Sequence, residues 1–374
     1  MPPRWTSHSL LSRGTSESSS AFAAAKSQWQ HPNDILTLLM VIGGDIVQRA
    51  IAQLTGSATI HFAPVAFSFG WVAYSFSAIL STVGDGRLMP PPDCNATLIN
   101  AQTGYARSVD SWILSRLVRD YEPPGEHDRG LTITFFHTST SKPTGVADHD
   151  WVYYSGVIVI AIQLGIAVIP GALFGDWMIL ILTVGGTILV CLGVVLPQWR
   201  QEKWSGRRLE DFKERKREVV CLTRGNGAPN AIVIISDGYG MKLEDLAAPR
   251  EVRTRVTIPA TFALAVLWLV HLLTVQSLQS NAWYPLIIGA LGMIQNAIAA
   301  GARRQPGALG FHLEEVRIVH DVKVFKALQE AENVEPRVGL ALLGIFFPGG
   351  LRPKEEEWRQ EKLAEYEKED KKIS

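Results

Sequence analysis

Six apolar stretches, at residues 35–54, 62–83, 152–170, 177–196, 258–278 and 283–301, constrain this 374-residue chain more than any other feature. A helix of ~20 mostly apolar residues matches the ~30 Å hydrocarbon core of a bilayer. The pattern therefore predicts an all-α membrane fold of about six transmembrane helices arranged as three hairpins. A small mixed α/β layer, built from the loops and the C-terminal tail, is expected on the cytosolic side. The hydrophobic share of 47% is ordinary and would not decide the matter. What decides it is concentration, because between the stretches the chain is as charged as a soluble protein. Residues 1–34 read as a disordered tail, 35–301 as the membrane region with long loops at 84–151 and 197–257, and 302–374 as a cytosolic tail.

Charge orients the segments. The turns within the three pairs contain no Lys or Arg, whereas the long connections do. After the fourth segment come Arg200, Lys203, Arg207, Arg208, Lys213, Arg215, Lys216 and Arg217, and after the sixth come Arg303 and Arg304. The positive-inside rule then predicts that both termini and both long loops are cytosolic. Trp151, Tyr153, Tyr154, Trp177, Trp268, Trp283 and Tyr284 lie in or beside the last four segments, and rings at segment ends suit the headgroup level.

Several classes are disfavoured. Lys plus Arg equals Asp plus Glu at 36 each, so no basic excess points to nucleic acid. Three cysteines (Cys94, Cys191, Cys221) make neither a disulfide framework nor a zinc pattern. No apolar core with a small-residue cleavage site follows the N-terminus, so a cleaved secretory signal is not expected. There is no GxxxxGK[ST], and the glycines at 225/227 and 238/240 read as turn chemistry, so no cofactor is expected. His127-Asp128, His137 and Asp148-His149-Asp150 are metal-ligand types at a spacing that matches no defined site.

Polar residues inside apolar segments are the candidate site. Asp45 and Arg49 stand four residues apart on one helical face, and His271 lies in the middle of the fifth segment. Charges at membrane depth are costly and normally face a partner or a water-filled cavity. They read either as a substrate or proton site or as a structural ion pair with an inter-helix imidazole. Gln163, Gln295 and Asn296 read first as inter-helix hydrogen-bonding groups. The stretch from Arg200 to Arg217 interleaves basic residues with Trp204, Leu209 and Phe212, which suits anionic lipid headgroups. In the loops, residues 109–121 read as an amphipathic helix, and 131–137, 219–223 and 231–235 as strands.

Three sets of residues carry a resemblance: 65–74 (VAFSFGWVAY), 84–90 (GDGRLMP) and 346–353 (FFPGGLRP). They resemble a group of uncharacterised multi-pass membrane proteins from filamentous fungi, and that likeness implies an architecture and no activity. Three hairpins also invite comparison with mitochondrial carriers, but the Pro-x-acid-x-x-basic motif is missing and the long loops fall between pairs. Three function classes follow: a small-molecule or proton-coupled transporter, a membrane-anchored scaffold or regulatory protein, and, ranked last, a membrane enzyme.

Overall fold

The computed structural model describes residues 43–56, 62–125, 129–212, 217–249, 252, 255–278 and 280–373. In chain order the elements are α1 (Gly44–Leu54), α2 (Gly70–Val83), β1 (Thr97–Asn100), β2 (Ala106–Ser108), α3 (Trp112–Asp120), β3 (Leu131–Thr138), α4 (Trp151–Phe174), α5 (Met178–Val194) and α6 (Pro197–Lys203). They continue with β4 (Arg217–Thr223), β5 (Asn230–Asp237), α7 (Leu243–Ala247), α8 (Thr257–Gln276), α9 (Trp283–Gly301), α10 (Pro306–Leu309), β6 (Leu313–Asp321), α11 (Val324–Val334), α12 (Val338–Phe346) and α13 (Pro353–Ile373). The expected tail 1–34 and residues 35–42 of the first apolar stretch lie outside the described residues.

The expected all-α fold with six spans is corrected. Three helices, α4, α8 and α9, are long and apolar enough to cross a membrane. A fourth is reached only if α5 and α6 count as one span across a 43° bend. The first stretch is helical, among the described residues, over the 11 residues of α1. The second divides into non-helical backbone at 62–69 and the 14-residue α2, about 21 Å long. Hydropathy counts residues and is blind to backbone geometry. Pro64 supplies the local reason, since it has no N–H to donate and disfavours helix at the residue before it.

The second correction is a six-stranded mixed sheet of order β2-β1-β4-β5-β3-β6. All neighbours are antiparallel except β3 and β5. Its strands come from both long loops and the tail, so the α4–α5 and α8–α9 hairpins are insertions between strands of one sheet. The strands expected at 131–137, 219–223 and 231–235 form. β1 and β2 were not read, and residues 311–332, which read as a helix with a strand period at Val316, Ile318, Val322 and Val324 as the alternative, hold β6 followed by most of α11. Both faces are covered, which explains the unbroken apolar runs in β4 and β5. Val220, Leu222, Ile232 and Ile234 face the layer of α3, α7 and the bundle. Val219, Cys221, Val233 and Ile235 face α11 and α12 through Leu328, Val338 and Leu342. Burial on this second face pushes the Cys221 thiol up.

Helix ends follow from the sequence. The Asp150 carboxylate accepts from Tyr153 N at 3.1 Å and caps α4, and Gly175 ends it with φ 72°. The α5 helix stops ahead of Pro197, where α6 turns away. The basic stretch that follows does not lie as one amphipathic helix: α6 ends at Lys203, Trp199 is fully buried, and a short 3₁₀ turn occupies Leu209–Asp211. Residues 213–216 lie outside the described residues.

Candidate functional site

The most unusual feature of the bundle is backbone without helix at depth. Residues 63–69 pass without helix or strand between α4, α5, α8 and α9, all of them buried. Lipid offers no hydrogen bonds, so such backbone persists in a bilayer only where protein or trapped water satisfies it. Two side chains do so here. Asn296 Oδ1 accepts from Ala66 N at 3.1 Å, and its Nδ2 donates to Ala66 O and Ser68 Oγ, both at 3.0 Å. Gln163 Nε2 donates to Phe67 O at 2.7 Å and to Ile288 O at 2.8 Å. Trp71 Nε1 adds a bond to Ala66 O at 3.1 Å.

Close approach makes this cradle possible. A Cβ on Gly292 would collide with the Phe67 carbonyl oxygen, and one on Gly156 with that of Pro64. The small residues of α9 admit this segment: Gly289 faces the Phe69 ring. Phe67 sits beside Gln163, about 18 Å along α4 from its first residue. From there α2 returns to the side it came from, because Gln198 of α6 donates to Gly86 O at 2.8 Å and Glu202 accepts from Leu88 N at 2.8 Å. The segment and α2 together form a re-entrant hairpin. Trp268 stacks on Phe67 at 6.1 Å and on Trp71 at 5.7 Å, filling the axis.

A charged seam closes the bundle at its sheet end. Arg116, fully buried, donates to Asp93 (2.7 Å), Asp120 (2.9 Å), Ala300 O (2.9 Å) and Ala302 O (2.6 Å). It thereby bridges two carboxylates and caps the C-terminal carbonyls of α9, where the helix dipole favours a cation. Arg119 bridges Asp93 at 3.1 Å and Asp120 at 2.9 Å. Arg304 pairs with both oxygens of Asp150 at 2.7 Å and donates to Gln53 O at 2.9 Å. Lys203, also buried, donates to Ala52 O at 2.7 Å and Thr55 O at 2.6 Å, capping α1 in the same way.

The three expected site residues are not brought into one cluster by any contact. Arg49, on α1, pairs with Asp93 at 2.6 Å and not with Asp45, which is exposed. His271 packs edge-on against Phe67 at 5.5 Å and Trp268 at 5.6 Å, and its buried Nε2 meets no partner among the described residues. The metal-type residues are spoken for: Asp148 accepts from Lys142 at 2.7 Å, which holds its carboxyl below the usual range, and His149 stacks on Tyr153 at 3.9 Å. His137 neighbours Asp237 at 3.3 Å, while His127 and Asp128 lie outside the described residues. Among the described residues no three His, Cys, Asp or Glu side chains converge as a metal set.

Sequence reasoning missed Asp93, Arg116 and Asp120. Arg116 and Asp120 fall in the stretch 109–121 that read as an amphipathic helix, on the face away from Trp112, Ile113 and Leu117, although their i,i+4 spacing was visible. Clefts open along the seam. One of about 100 Å³ lies where Phe62 enters, beside Leu54, Val194, Arg200 and Arg304. Another of about 380 Å³ lies between Gln48, Asp85, Trp112, Glu202 and Lys203. No family model, curated protein or solved structure matches the chain.

Proposed function

We propose that the chain is a multi-pass integral membrane transport protein for a small solute, seen with its conduit closed. In this reading α4, α5, α8 and α9 cross the bilayer as two hairpins, and the re-entrant hairpin of residues 63–83 is the closing element. The sheet lies on the cytosolic side, supported by Arg303 and Arg304 at the near end of α9 and by far turns at 175–177 and 280–282 that carry no Lys or Arg. The observation that carries the reading is the unwound segment held at depth by Asn296 and Gln163. A plain anchor has no use for such a segment, whereas interrupted backbone at midplane is a recurring way to build a solute path.

The test loosens that segment. Purified protein, wild type or Asn296→Ala/Gln163→Ala, is placed in vesicles loaded with a potassium reporter or with the larger dye calcein. The proposal expects the double variant to release potassium well above lipid-only vesicles while retaining calcein. Vesicles as tight as lipid alone for both proteins would leave the conduit without support and end the reading. A scaffold reading is then favoured by the seam, which joins the sheet rigidly to the bundle through buried Arg116.

A further inference from the structure

Along one side of the seam, apart from the Arg304–Asp150 pair, five arginines meet three carboxylates among the described residues. Arg49, Arg116 and Arg119 surround Asp93 and Asp120, Arg303 meets Glu122, and Arg224 donates weakly to Arg119 O at 3.4 Å. The surplus is carried outward, because Arg116 is buried while Arg224 and Arg303 are exposed. These two border an open cleft of about 210 Å³, together with Arg119 and the apolar walls Leu222 and Ile232. Arg303 lies two residues beyond the end of α9, at the level where a spanning helix leaves the hydrocarbon. Its partner Glu122 is as exposed as it is (65% against 60%), so their bond is readily exchanged for another anion.

We propose that this cleft is a binding site for the phosphate of an anionic phospholipid headgroup, held by Arg224 and Arg303 against the surface that Arg119 supports. Guanidinium groups match phosphate oxygens two at a time, which neither the exposed Glu122 nor water does as well. The site lies apart from the Arg200 to Arg217 stretch, where Arg207 is engaged by Asp245 at 2.5 Å and Arg217 by Glu335 at 2.7 Å. It rests on α9 spanning a bilayer, as read above.

The test uses the full chain in neutral detergent with dioctanoyl phosphatidic acid, dioctanoyl phosphatidylcholine and inorganic phosphate as probes, followed by native mass spectrometry. Phosphatidic acid is expected to bind and phosphatidylcholine not to. Each arginine near a leaflet strengthens anion binding roughly fivefold, so Arg224→Gln/Arg303→Gln should weaken it roughly twenty-fold. Arg207→Gln/Arg208→Gln should leave it unchanged. Equal binding of both lipids, or unchanged binding by the first double variant, overturns the site. Inorganic phosphate competing at the same concentration as the lipid overturns the membrane as the source. Alkaline carbonate extraction separates the two readings: protein that stays with the membrane yet fails to distinguish lipids refutes the site and spares the spans.

Discussion

Along β5 every residue from Ala231 to Ile235 is apolar and buried, whereas along α4 Ile158, Ile162, Ile169 and Leu173 stand exposed and Gln163 is as fully buried as Val152 and Ala167. The same apolar composition thus points inward in the sheet and outward in the bundle. The central strands β4 and β5 exclude water from both faces, and the buried Thr132 and Thr134 of neighbouring β3 are paired with His320 and Tyr121. The bundle turns its apolar side chains outward, as a helix in lipid does, and keeps Gln163, Asn296 and Thr183 inside. If α4, α8 and α9 cross a bilayer as proposed, two solvents sort one alphabet in opposite directions, and the seam of ion pairs is where they meet.

The largest effect is expected at that meeting point. Arg116→Ala removes a fully buried guanidinium, leaves Asp93 and Asp120, each 1% exposed, to the water-accessible Arg49 and Arg119, and strips Ala300 O and Ala302 O of their donor. Breaking a buried pair by one partner costs about 3–5 kcal/mol. Thermal unfolding of the protein in detergent should fall accordingly, and protease should cut between the sheet and α9. A loss under 1 kcal/mol would show the seam to be wet, and would erase the boundary between the two regions.

Within the sheet region one buried carboxyl breaks the pattern and sharpens the contrast. Glu218 accepts from Leu243 N at 3.3 Å with one oxygen, and its other oxygen has no partner among the described residues. Burial is the main cause that pushes its carboxyl from 4.5 to about 7, with Lys242 opposing and Glu244 and Asp245 adding to the rise. The folded state therefore holds this proton more tightly than the unfolded chain. The contribution to stability is fully present below pH 4.5, is lost as pH rises towards 7, and is gone above it. Glu218→Gln keeps the acceptor and removes the titration. At pH 8 the variant should exceed wild type by up to roughly 3 kcal/mol, and the difference should vanish near pH 4. Melting curves across that range check it, and a difference independent of pH would mean that Glu218 is ionised where it lies.

These contrasts also explain what was legible. Periodicity exposed α4, α8 and α9, because a helix facing lipid is apolar on nearly every side and nothing else in a protein looks like that for 20 residues. It exposed β3, β4 and β5 for a related reason, since strands buried on both faces read as short unbroken apolar runs. Residues 62–83 looked the same to hydropathy as a span, because Phe67, Phe69 and Trp71 are as apolar when threaded through a bundle as when facing lipid. Only Pro64, and glycines at 156 and 292 in other segments, hinted otherwise. Asn296 and Gln163 were recognised as bonding groups, but their acceptors are backbone atoms more than a hundred residues away for one and nearly so for the other. The strand β6 competed with a helix reading despite the period of Val316 and Ile318, because four of its nine residues are exposed at the sheet edge and weaken the inward pattern.

The smallest effect belongs to an ion pair that water reaches. Arg337 donates to both oxygens of Asp370 at 2.7 and 2.9 Å and lies over the Tyr366 ring at 5.0 Å, fastening α13 across α12. The geometry rivals that of Arg116, yet Asp370 is 63% exposed. Exposed pairs contribute about 0.2–1 kcal/mol, screened by salt. The tail helix is held mainly by Trp358 edge-on against Phe325 at 5.4 Å, next to the apolar face of α11 and α12. Asp370→Asn should therefore lower the melting free energy by about 0.5 kcal/mol at low salt and by less at 1 M salt. Trp358→Ala, measured beside it, should cost several times more. If Asp370→Asn cost as much as Arg116→Ala and salt left that cost unchanged, solvent exposure would not be what separates the seam from the surface, and the contrast between the two regions would need another cause.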